Sequence, residues 1–542
     1  MLGLMMNTPL LISSLIRHAD RGPGDTEIVS RTVEGPIHRY TYRDAHTRSR
    51  RLARALARLG VAPGERVGTL AWNDYRHFEL YYAVSGMEAV IHTINPRLFF
   101  DQLTYIVGHA EDRLVCFDLT FLPLVEKLAP LCPGVTAWIA LTDRAHLPQT
   151  TLANLLCYED LLAAENDDYD WPLFDENTAA GLCYTSGTTG HPKGVLFSHR
   201  SSVLHAYAVS LPDAKGYSAR SVVLPIVPMF HVNAWGIPYA APLAGVKLVL
   251  PGAGMDGASL YELFETEEVE SSAGVPTVWL NLIAHMKQHG LKFSTLKYAT
   301  IGGAAVPPAM VRTLADDFGL SVLHGWGMTE MSPVGTINVG KAKHDRLSAE
   351  DRFLLSLKQG RPLPGVDMKI VDGDGVELPW DGKAAGNLLV KGPWVLREYY
   401  RDDGGNPLTA DGWFPTGDVG TIDPDGYLQI TDRSKDMIKS GGEWISSIEL
   451  EHIAIGHPAV AEAAVIGVHH ARWSERPLLL VVRKAGANVD REAMLGFYEG
   501  KIAKWSMPDD VVFVAELPHT ATGKLSKRTL REQFRDYRLP TA

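Results

Sequence analysis

The sequence predicts an α/β protein with a large N-terminal domain at residues 1–431 and a small, mobile α+β C-terminal domain at residues 432–542. Up to about residue 360, short apolar runs alternate with helix-like segments, which is the pattern of stacked βα units with parallel sheets. The turns D-G-D-G at 372–375 and D-P-D-G at 423–426 then separate short strands. Such turns are typical of hairpins and indicate a β-rich subdomain. From residue 432 onward, both helix-like and strand-like patterns occur, and the segment is only long enough for a small domain.

The N-terminal elements begin with a helix predicted within residues 40–60, where leucines with helical spacing end at Gly60. The arginine cluster R-S-R-R at 48–51 is interpreted as the solvated face of this helix. A strand follows at 66–70, and further strands, each followed by a helix-like segment, are predicted at 248–250, 272–275 and 299–301. Ligands bind beyond the carboxyl ends of such parallel strands. The glycines after residue 301 and the turn that ends in Glu330 are predicted to lie there.

Two polar stretches, at 166–177 and 341–352, are predicted to be surface connectors. In the C-terminal domain the pattern predicts helices near 446–455 and 490–505, and strands around 463–466 and 478–482. A literal G-x-G-x-x-G at 252–257 follows a strand, as in dinucleotide-binding folds. Because no acidic residue ends the following strand, we interpret it as a glycine-rich crossover loop instead.

Composition limits the class of protein. The 542 residues are 46% apolar, and the net charge of −11 is spread along the chain, which argues against a nucleic-acid partner. No apolar run reaches the length of about 18 residues that a membrane span needs, and the first residues lack the basic region of a signal peptide. The cysteines form no C-x-x-C pair, so buried free thiols in a reducing compartment, the cytoplasm, are expected at Cys116, Cys132, Cys157 and Cys183.

The segment at 184–194 reads Y-T-S-G-T-T-G-H-P-K-G and concentrates hydroxyls, glycines and one lysine. Glycines let several backbone N–H groups point at one anion, and the lysine adds a mobile positive charge. The spacing does not fit the Walker A motif, and apolar runs on both sides place the loop between two strands. The next helix is predicted to begin at Ser198, a suitable N-cap. We interpret the segment as a nucleoside triphosphate loop.

This loop resembles the signature of the acyl-adenylate-forming enzymes, a superfamily of acyl-CoA synthetases, peptide synthetase adenylation domains and luciferases. Six further motifs match in the family's order over nearly the whole chain: V-P-M-F-H at 227–231, G-G-A at 302–304, G-W-G-M-T-E at 325–330, G-W-F-P-T-G-D at 412–418, D-R-S-K-D at 432–436 and T-G-K at 522–524. The resemblance implies an ATP-dependent ligase that forms acyl-AMP and pyrophosphate, then acyl-CoA and AMP. ATP, Mg²⁺, coenzyme A and a small carboxylic acid are the expected ligands, and a homodimer is the expected assembly.

The resemblance also implies a role for each motif residue. Lys524, His231 and Glu330 are the expected catalytic residues, and Thr185 and Glu330 are the expected Mg²⁺ ligands. Lys193 is expected to hold the outer phosphates. The further positions expected to bind ATP or AMP are Ser186, Gly187, Thr188, Thr189, Gly190, Gly302, Gly303, Ala304, His324, Gly325, Gly327, Met328, Thr329 and Lys435.

Three aromatic or charged residues have a more specific nucleotide role by the same resemblance. Trp326 is expected to lie against the adenine, where the family usually has Tyr and where an indole preserves stacking. Asp418 is expected to bind the ribose hydroxyls with Arg433 beside it, and a buried structural ion pair is the alternative for these two residues.

The C-terminal domain is expected to rotate between the two half-reactions. Asp432 is the expected hinge. Rotation would remove Lys524 and bring in a surface that binds coenzyme A, for which the resemblance implies Lys439, Gly441, Gly442, Glu443 and Trp444.

Of the expected ligands, the carboxylic acid is the one whose identity the sequence determines least. Trp235 could gate an acyl tunnel next to Pro333, and a core tryptophan is the alternative. The stretches H-V-N-A-W and K-S-G-G-E-W-I-S-S resemble bacterial fatty acyl-CoA synthetases of thermophile type and 3-methylmercaptopropionate CoA ligases. A short- to medium-chain acid, including 3-methylmercaptopropionate of dimethylsulfoniopropionate breakdown, is the first expectation. A long-chain fatty acid, or loading of a carrier-protein thiol, is the alternative.

Overall fold

The computed structural model describes residues 1, 3–185, 191–402, 404–441, 443–520 and 524–541. Within these residues the strands form four sheets. Two mostly parallel sheets make up the N-terminal part, an antiparallel sheet follows, and a mixed sheet forms the C-terminal part. This arrangement confirms the predicted fold class.

The smaller N-terminal sheet has seven strands, all parallel except the last pair. Its strands, in spatial order, are Leu155–Cys157, Ala137–Ala140, Asp112–Phe117, Arg66–Leu70, Val90–Thr93, Ala179–Tyr184 and Gly194–Ser198. The predicted triphosphate loop joins the last two strands, as expected from the apolar runs on either side of it.

The larger N-terminal sheet has nine strands, with a parallel centre and antiparallel pairs at both edges. In spatial order they are Arg361–Pro362, Val334–Ile337, Ser321–Gly327, Tyr298–Ile301, Ser271–Gly274, Val222–Pro225, Lys247–Leu250, Glu27–Arg31 and Ile37–Thr41. The G-x-G-x-x-G segment lies after one of these strands and leads to a helix capped by Asp256, so it is a crossover loop.

The antiparallel sheet contains Asp367–Val371, Gly386–Lys391, Phe414–Ile422 and Leu428–Arg433. The D-P-D-G turn joins its last two strands as a hairpin. The C-terminal sheet contains Glu443–Ile445, Ile438–Ser440, Ser474–Arg483 and Val460–His470, and Asp510–Phe513 pairs with Ser474–Arg483 in parallel.

Helices pack against both faces of the two N-terminal sheets and against both faces of the C-terminal sheet. Those of the N-terminal part are Ile12–Arg21, Tyr42–Arg58, Tyr75–Gly86, Phe100–Ala110, Leu122–Leu128, Tyr158–Ala163, His199–Ser210, Ile237–Ala244, Gly257–Thr266, Pro276–His289, Pro308–Arg312 and Ala349–Ser356. Those of the C-terminal part are Ser447–Ile455, Arg491–Phe497 and Lys527–Gln533.

The helix Tyr75–Gly86 is buried on all sides and lies in the core that the two N-terminal sheets share. Its polar Glu79 is fully buried and accepts hydrogen bonds from Arg48 at 2.7 Å and from the hydroxyl of Tyr158 at 2.6 Å. The interpretation of the arginine cluster as a solvated face is therefore wrong for Arg48. A buried carboxylate needs such partners, because an unpaired charge in the core would be costly.

One predicted connector and one predicted helix also differ from the structure. The stretch 341–352 contains a 3₁₀ turn, Ala342–Arg346, and enters the helix Ala349–Ser356, which Ser348 caps. The helix predicted at 490–505 ends at Phe497, and turns follow it. All four cysteines are buried free thiols, as predicted. The helices of the described residues include none that is both long and apolar enough to cross a membrane.

Candidate active site

A cavity of about 470 Å³ opens at the carboxyl ends of the strands of the nine-stranded sheet. Segments far apart in the sequence form its walls, and the C-terminal part contributes Lys524. A second cavity of about 630 Å³ adjoins it, and Gly303, Trp326 and Arg433 are among the residues that line both. The two cavities are neighbours, and residues of both the N-terminal and the C-terminal parts of the chain line each of them.

The neck of the triphosphate loop borders the first cavity. The Thr185 backbone N–H donates to the Lys193 carbonyl at 2.9 Å, and the Lys193 N–H donates to Thr185 Oγ1 at 3.2 Å. The Lys193 ammonium lies 4.7 Å from the centre of the Tyr399 ring. Five loop positions of the prediction, namely Ser186, Gly187, Thr188, Thr189 and Gly190, lie outside the described residues.

Glu330 is a buried carboxylate in the same cavity. Its Oε1 accepts a hydrogen bond of 2.9 Å from the Tyr399 hydroxyl, and its carbonyl accepts one of 2.7 Å from the Leu396 N–H. Burial raises the pKa of Glu330, and the charges of Arg433 and Lys524 partly oppose this effect. A further cation placed beside Glu330 would therefore stabilise its charged carboxylate, which burial disfavours.

Lys524, in the C-terminal part, lies near the charged groups of Glu330, Asp418 and Arg433. Burial and the neighbouring Arg433 lower its pKa to about 8, against the attraction of Asp418 and Glu330. Lys524 also helps to lower the pKa of His231 to about 4, for which burial is the main cause. The imidazole is therefore neutral at physiological pH.

Asp418 and Arg433 face each other across a strand pair. Arg433 Nε lies 2.7 Å from Asp418 Oδ1, and the indole N–H of Trp326 donates to Asp418 Oδ2 at 2.8 Å. Asp418 is buried, and burial raises its pKa while Arg433 opposes the shift. The ion pair named as the alternative therefore exists, but both residues also face the second cavity.

The predicted glycine-rich edge separates the two cavities. A Cβ on Gly302 would lie 2.6 Å from the Gly325 carbonyl oxygen, so only glycine fits at this position. Gly303 and Gly325 border both cavities, whereas Ala304 borders only the second.

His324 is buried in the wall of the second cavity. Its Nδ1 lies 2.9 Å from the Leu357 carbonyl oxygen and its Nε2 lies 3.3 Å from the Gln359 side-chain nitrogen. Burial lowers its pKa to about 4, so a neutral imidazole borders the space. Of the other predicted nucleotide positions, Gly327 borders both cavities and Met328, Thr329 and Lys435 border the first.

The segment before His231 is held by the seven-stranded half of the molecule. The Asn73 side chain donates to the Val227 carbonyl at 2.9 Å and accepts from the Met229 N–H at 2.6 Å. The Tyr81 hydroxyl donates to the Met229 carbonyl at 2.6 Å. These contacts fix the backbone from which His231 and Trp235 reach the first cavity.

Residues Val232, Asn233, Ala234 and Trp235 all have positive φ, with values of 41°, 53°, 45° and 55°. Each such residue costs about 1–2 kcal/mol relative to a right-handed conformation. Backbone strain of this kind persists only where the surroundings hold it, and it concentrates at binding sites. Here the Tyr81 hydroxyl, which donates to the Met229 carbonyl, also lies 3.1 Å from Asn233 Oδ1.

The turn places the Trp235 ring against the glycine edge. A Cβ on Gly302 would lie 3.5 Å from the ring, and one on Gly303 would lie 3.7 Å from it. Trp235 and Pro333, the two residues predicted for an acyl pocket, both line the first cavity. Sequence reasoning missed several residues of this wall, because they lie in unremarkable apolar or loop segments: Lys215, Val275, Thr300, Val334, Ile337 and Tyr399.

Of the predicted coenzyme A residues, the described ones, Lys439, Gly441, Glu443 and Trp444, lie on or beside a hairpin of the C-terminal sheet, and none of these four borders either cavity. Lys439 Nζ lies 4.9 Å from the centre of the half-exposed Trp444 ring. Gly441 has a φ of +60°, and a Cβ there would lie 2.6 Å from the Trp473 ring. Glu443 begins the second strand of this hairpin. The predicted Gly442 lies outside the described residues.

Asp432, the predicted hinge, is the last residue but one of the final strand of the antiparallel sheet and is fully buried. Its Oδ2 accepts hydrogen bonds of 2.6 Å from both the N–H and the hydroxyl of Ser447. It therefore ties the antiparallel sheet to the first helix of the C-terminal part. Within the described ranges, no group of three or more His, Cys, Asp or Glu side chains is placed to hold a metal ion.

Two family models match the chain. The model "AMP-binding enzyme" matches residues 15–400, and "AMP-binding enzyme C-terminal domain" matches residues 449–524. The chain is 52% identical over 536 residues to the 3-methylmercaptopropionyl-CoA ligase of Ruegeria lacuscaerulensis, with 99% of both chains covered. It is 45% identical over 535 residues to the long-chain-fatty-acid–CoA ligase of Thermus thermophilus, with 98% of this chain and 97% of that protein covered.

The fold is similar to that of the anthranilate CoA ligase AuaEII, solved in complex with anthranoyl-AMP. The TM-score is 0.85, the sequence identity is 24%, and 98% of each chain is covered.

Proposed function

Because the chain belongs to the AMP-binding enzyme family, we propose that the cleft around Lys524 activates a short- to medium-chain aliphatic acid. The protein is an AMP-forming acyl-CoA synthetase, an ATP-dependent ligase of acids to coenzyme A. The observation that supports the proposed site is that Lys524, Glu330 and the neck of the triphosphate loop border a single cavity.

The first step joins the acid to AMP. A carboxylate oxygen attacks the α-phosphorus of ATP, a new O–P bond forms, and the bond to pyrophosphate breaks. Both reactants are anions, so the step needs fixed positive charge where negative charge develops. Lys524 is proposed to bridge the carboxylate and the α-phosphate, and Lys193 is proposed to hold the outer phosphates until pyrophosphate leaves. The neutral His231 is proposed to border the reacting carboxylate without adding charge.

Glu330 and Thr185 are proposed to hold Mg²⁺. One buried carboxylate and one hydroxyl suit a nucleotide-bound Mg²⁺, because phosphates and waters supply its remaining ligands. The ion would offset the charge of the phosphates during the displacement. The Tyr399 hydroxyl orients Glu330 through the 2.9 Å hydrogen bond, which supports this role.

The adjoining cavity is proposed to bind the nucleoside. Asp418 would accept hydrogen bonds from the ribose hydroxyls, because each of its oxygens has lone pairs beyond those used by Trp326 and Arg433. The face of Trp326 is proposed to stack on the adenine. The glycine edge at 302–303 would let the backbone approach the nucleotide closely, and the position of these glycines between the two cavities supports this.

The second step forms the thioester. The sulfur of coenzyme A attacks the acyl carbon, AMP leaves with the carboxylate oxygen, and the thiol proton is lost to solvent. We propose that residues 432–542 rotate about Asp432 between the steps and bring the hairpin with Lys439, Gly441 and Trp444 to the cleft. Lys439, Gly441 and Trp444 line neither cavity, which supports a separate conformation for thioester formation.

Among acids, 3-methylmercaptopropionate is the first candidate, because the 52% identical relative is a 3-methylmercaptopropionyl-CoA ligase. A long-chain fatty acid is the second candidate, because the 45% identical relative is a long-chain-fatty-acid–CoA ligase. We further propose a homodimer that acts in the cytoplasm, where buried free thiols stay reduced. Light scattering of the purified protein would test the dimer.

A substrate screen tests the proposed function. Purified protein is incubated with ATP, Mg²⁺ and coenzyme A, and AMP release is measured for straight-chain acids of two to sixteen carbons and for 3-methylmercaptopropionate. The expected result is AMP release that depends on both the acid and coenzyme A, with its maximum among the shorter acids. A maximum among the longest acids would support the second candidate. No release with any acid would refute the proposed function.

A further inference from the structure

Lys215 is a buried lysine in the wall of the first cavity, with 7% of its surface exposed. Its ammonium donates a hydrogen bond of 3.1 Å to the Trp235 carbonyl and lies 5.7 Å from the centre of the Tyr217 ring. Among the described residues, no carboxylate forms an ion pair with it. A buried ammonium with three donors and a single described acceptor needs another partner when water is excluded.

The electrostatic surroundings of Lys215 differ from those of Lys524. Burial alone lowers the pKa of Lys215 to about 7, and its charge helps to lower the pKa of the neighbouring His205 to about 3. Lys524 instead interacts with Arg433, Asp418 and Glu330. The two ammonium groups therefore have different charged neighbours.

The first cavity, which Lys215 lines, also has a set of apolar lining residues: Val232, Trp235, Val275, Pro333, Val334 and Ile337. The bond from Lys215 to the Trp235 carbonyl places the ammonium beside the residue proposed to gate the acyl chain. A purely aliphatic acid that filled this space would displace water from the ammonium and supply no acceptor in return.

We propose that Lys215 determines specificity by donating a hydrogen bond to an acceptor atom on the chain of the bound acid. The substrate class that follows is short carboxylic acids with an ether, thioether or keto group a few atoms from the carboxylate. Alkanoates of the same length are the disfavoured class. A site built to hydrogen-bond one group rejects an analogue that lacks it more strongly than an apolar pocket rejects an extra methylene. This inference rests on the proposed function of the same cavity.

The test compares acids of matched length on the wild-type enzyme and on Lys215→Met, which removes the ammonium and keeps most of the side-chain volume. The acids are pentanoate, 3-methoxypropionate and 4-oxopentanoate. The readout is kcat/KM for coenzyme A-dependent AMP release, expressed as the ratio of each acceptor-bearing acid to pentanoate. We expect ratios above one for the wild type and a fall of about tenfold in the variant. Wild-type ratios at or below one, or variant ratios within twofold of wild type, would overturn the proposal.

Lys215→Gln is the second variant, because it retains a donor without the charge. It is expected to keep ratios between those of the wild type and of Lys215→Met, and it provides the test if the methionine variant fails to fold by circular dichroism. An equal fall for all three acids in both variants would show a structural lysine and overturn the inference. A wild-type enzyme that is inactive with every acid would instead refute the proposed function.

Discussion

The indole N–H of Trp326 donates a hydrogen bond of 2.8 Å to Oδ2 of Asp418, whose Oδ1 lies 2.7 Å from Nε of Arg433. The tryptophan therefore orients the carboxylate proposed to bind the ribose, in addition to offering its face to the adenine. Sequence reasoning assigned only stacking to Trp326, since a hydrogen bond between residues so far apart in the chain leaves no local pattern.

Replacing Trp326 by Phe is expected to weaken ATP binding more than it slows chemistry. The ring would still stack, but the hydrogen bond to a charged acceptor would be lost, and such bonds contribute about 1.5–3 kcal/mol. The KM for ATP should rise roughly tenfold or more, because about 1.4 kcal/mol corresponds to a factor of ten. Steady-state kinetics at saturating acid and coenzyme A measure this change. Trp380→Phe, at a partly exposed position of the antiparallel part, is the matched control.

Some residues of the candidate site can be predicted from sequence motifs, and others can be identified only from the folded structure. Glu330, Thr185 and Lys193 belong to contiguous motifs, and the structure brings them to one cavity. Tyr399 and Lys215 reach the same cavity from segments without a motif, and they are recognised only when the chain is folded. A lone lysine in a polar stretch is most simply interpreted as a surface residue.

Replacing Lys524 by Ala is expected to abolish acyl-AMP formation while thioester formation from synthetic acyl-AMP survives. Lys524 lies close enough to Glu330 and Asp418 for its charge to oppose the rise in the pKa of both carboxyls. Loss of a donor to developing charge should cost roughly 100-fold or more. Pyrophosphate exchange measures the first half-reaction alone. Equal losses in both half-reactions would contradict the assignment, and the exposed Lys484→Ala provides the control.

The pH dependence of the first half-reaction should report the same group. A lysine is cationic below its pKa, and that of Lys524 is lowered to about 8. For the free enzyme, kcat/KM of adenylation should therefore hold up to about pH 8 and fall above it, since kcat/KM reports the pKa values of the free enzyme. An enzyme whose activity holds until the ordinary pKa of lysine, about 10.4, would contradict this.

The fold was predictable wherever local periodicity and turn residues agreed, as in the strands around the triphosphate loop and the D-P-D-G hairpin. The fold was less predictable where two residues in contact lie far apart in the sequence. Arg48 belongs to an arginine cluster that is typical of a solvated helix face, yet it forms an ion pair with the buried Glu79 of another helix. The helix Ala349–Ser356 was missed because only its first, charged turn lies in the polar stretch 341–352, and its apolar residues Phe353, Leu354 and Leu355 follow that stretch.

Replacing Gly441 by Ala is expected to impair thioester formation and to spare adenylation. The position has a φ of +60°, and the added Cβ would lie 2.6 Å from the Trp473 ring, so the hairpin proposed to bind coenzyme A must shift. Acyl-AMP should accumulate in a single-turnover assay with ATP, acid and coenzyme A.

Gly486→Ala is a matched control for Gly441→Ala, because Gly486 has a φ of +75° in the same domain and no atom lies within 4 Å of its added Cβ. It carries similar backbone strain without the collision. If both variants lose thioester formation equally, general strain rather than the hairpin surface is the cause. If Gly441→Ala loses adenylation with its fold intact by circular dichroism, the coenzyme A assignment is wrong.

Replacing Trp235 by Ala is expected to shift the preference of the enzyme towards longer acids. The ring lies against the glycine edge, where a Cβ on Gly302 would be 3.5 Å away, and the strained turn before it fixes the backbone. Removing the ring would lengthen the pocket and leave empty space around short acids, and an apolar pocket distinguishes acids by about 1–3 kcal/mol per methylene. Measuring kcat/KM for acids of four to twelve carbons on both proteins should show the maximum move to longer chains. If Trp235 only fills the core, its replacement should lower the melting temperature and reduce kcat/KM for all acids in proportion. An unchanged chain-length profile would contradict the gate hypothesis.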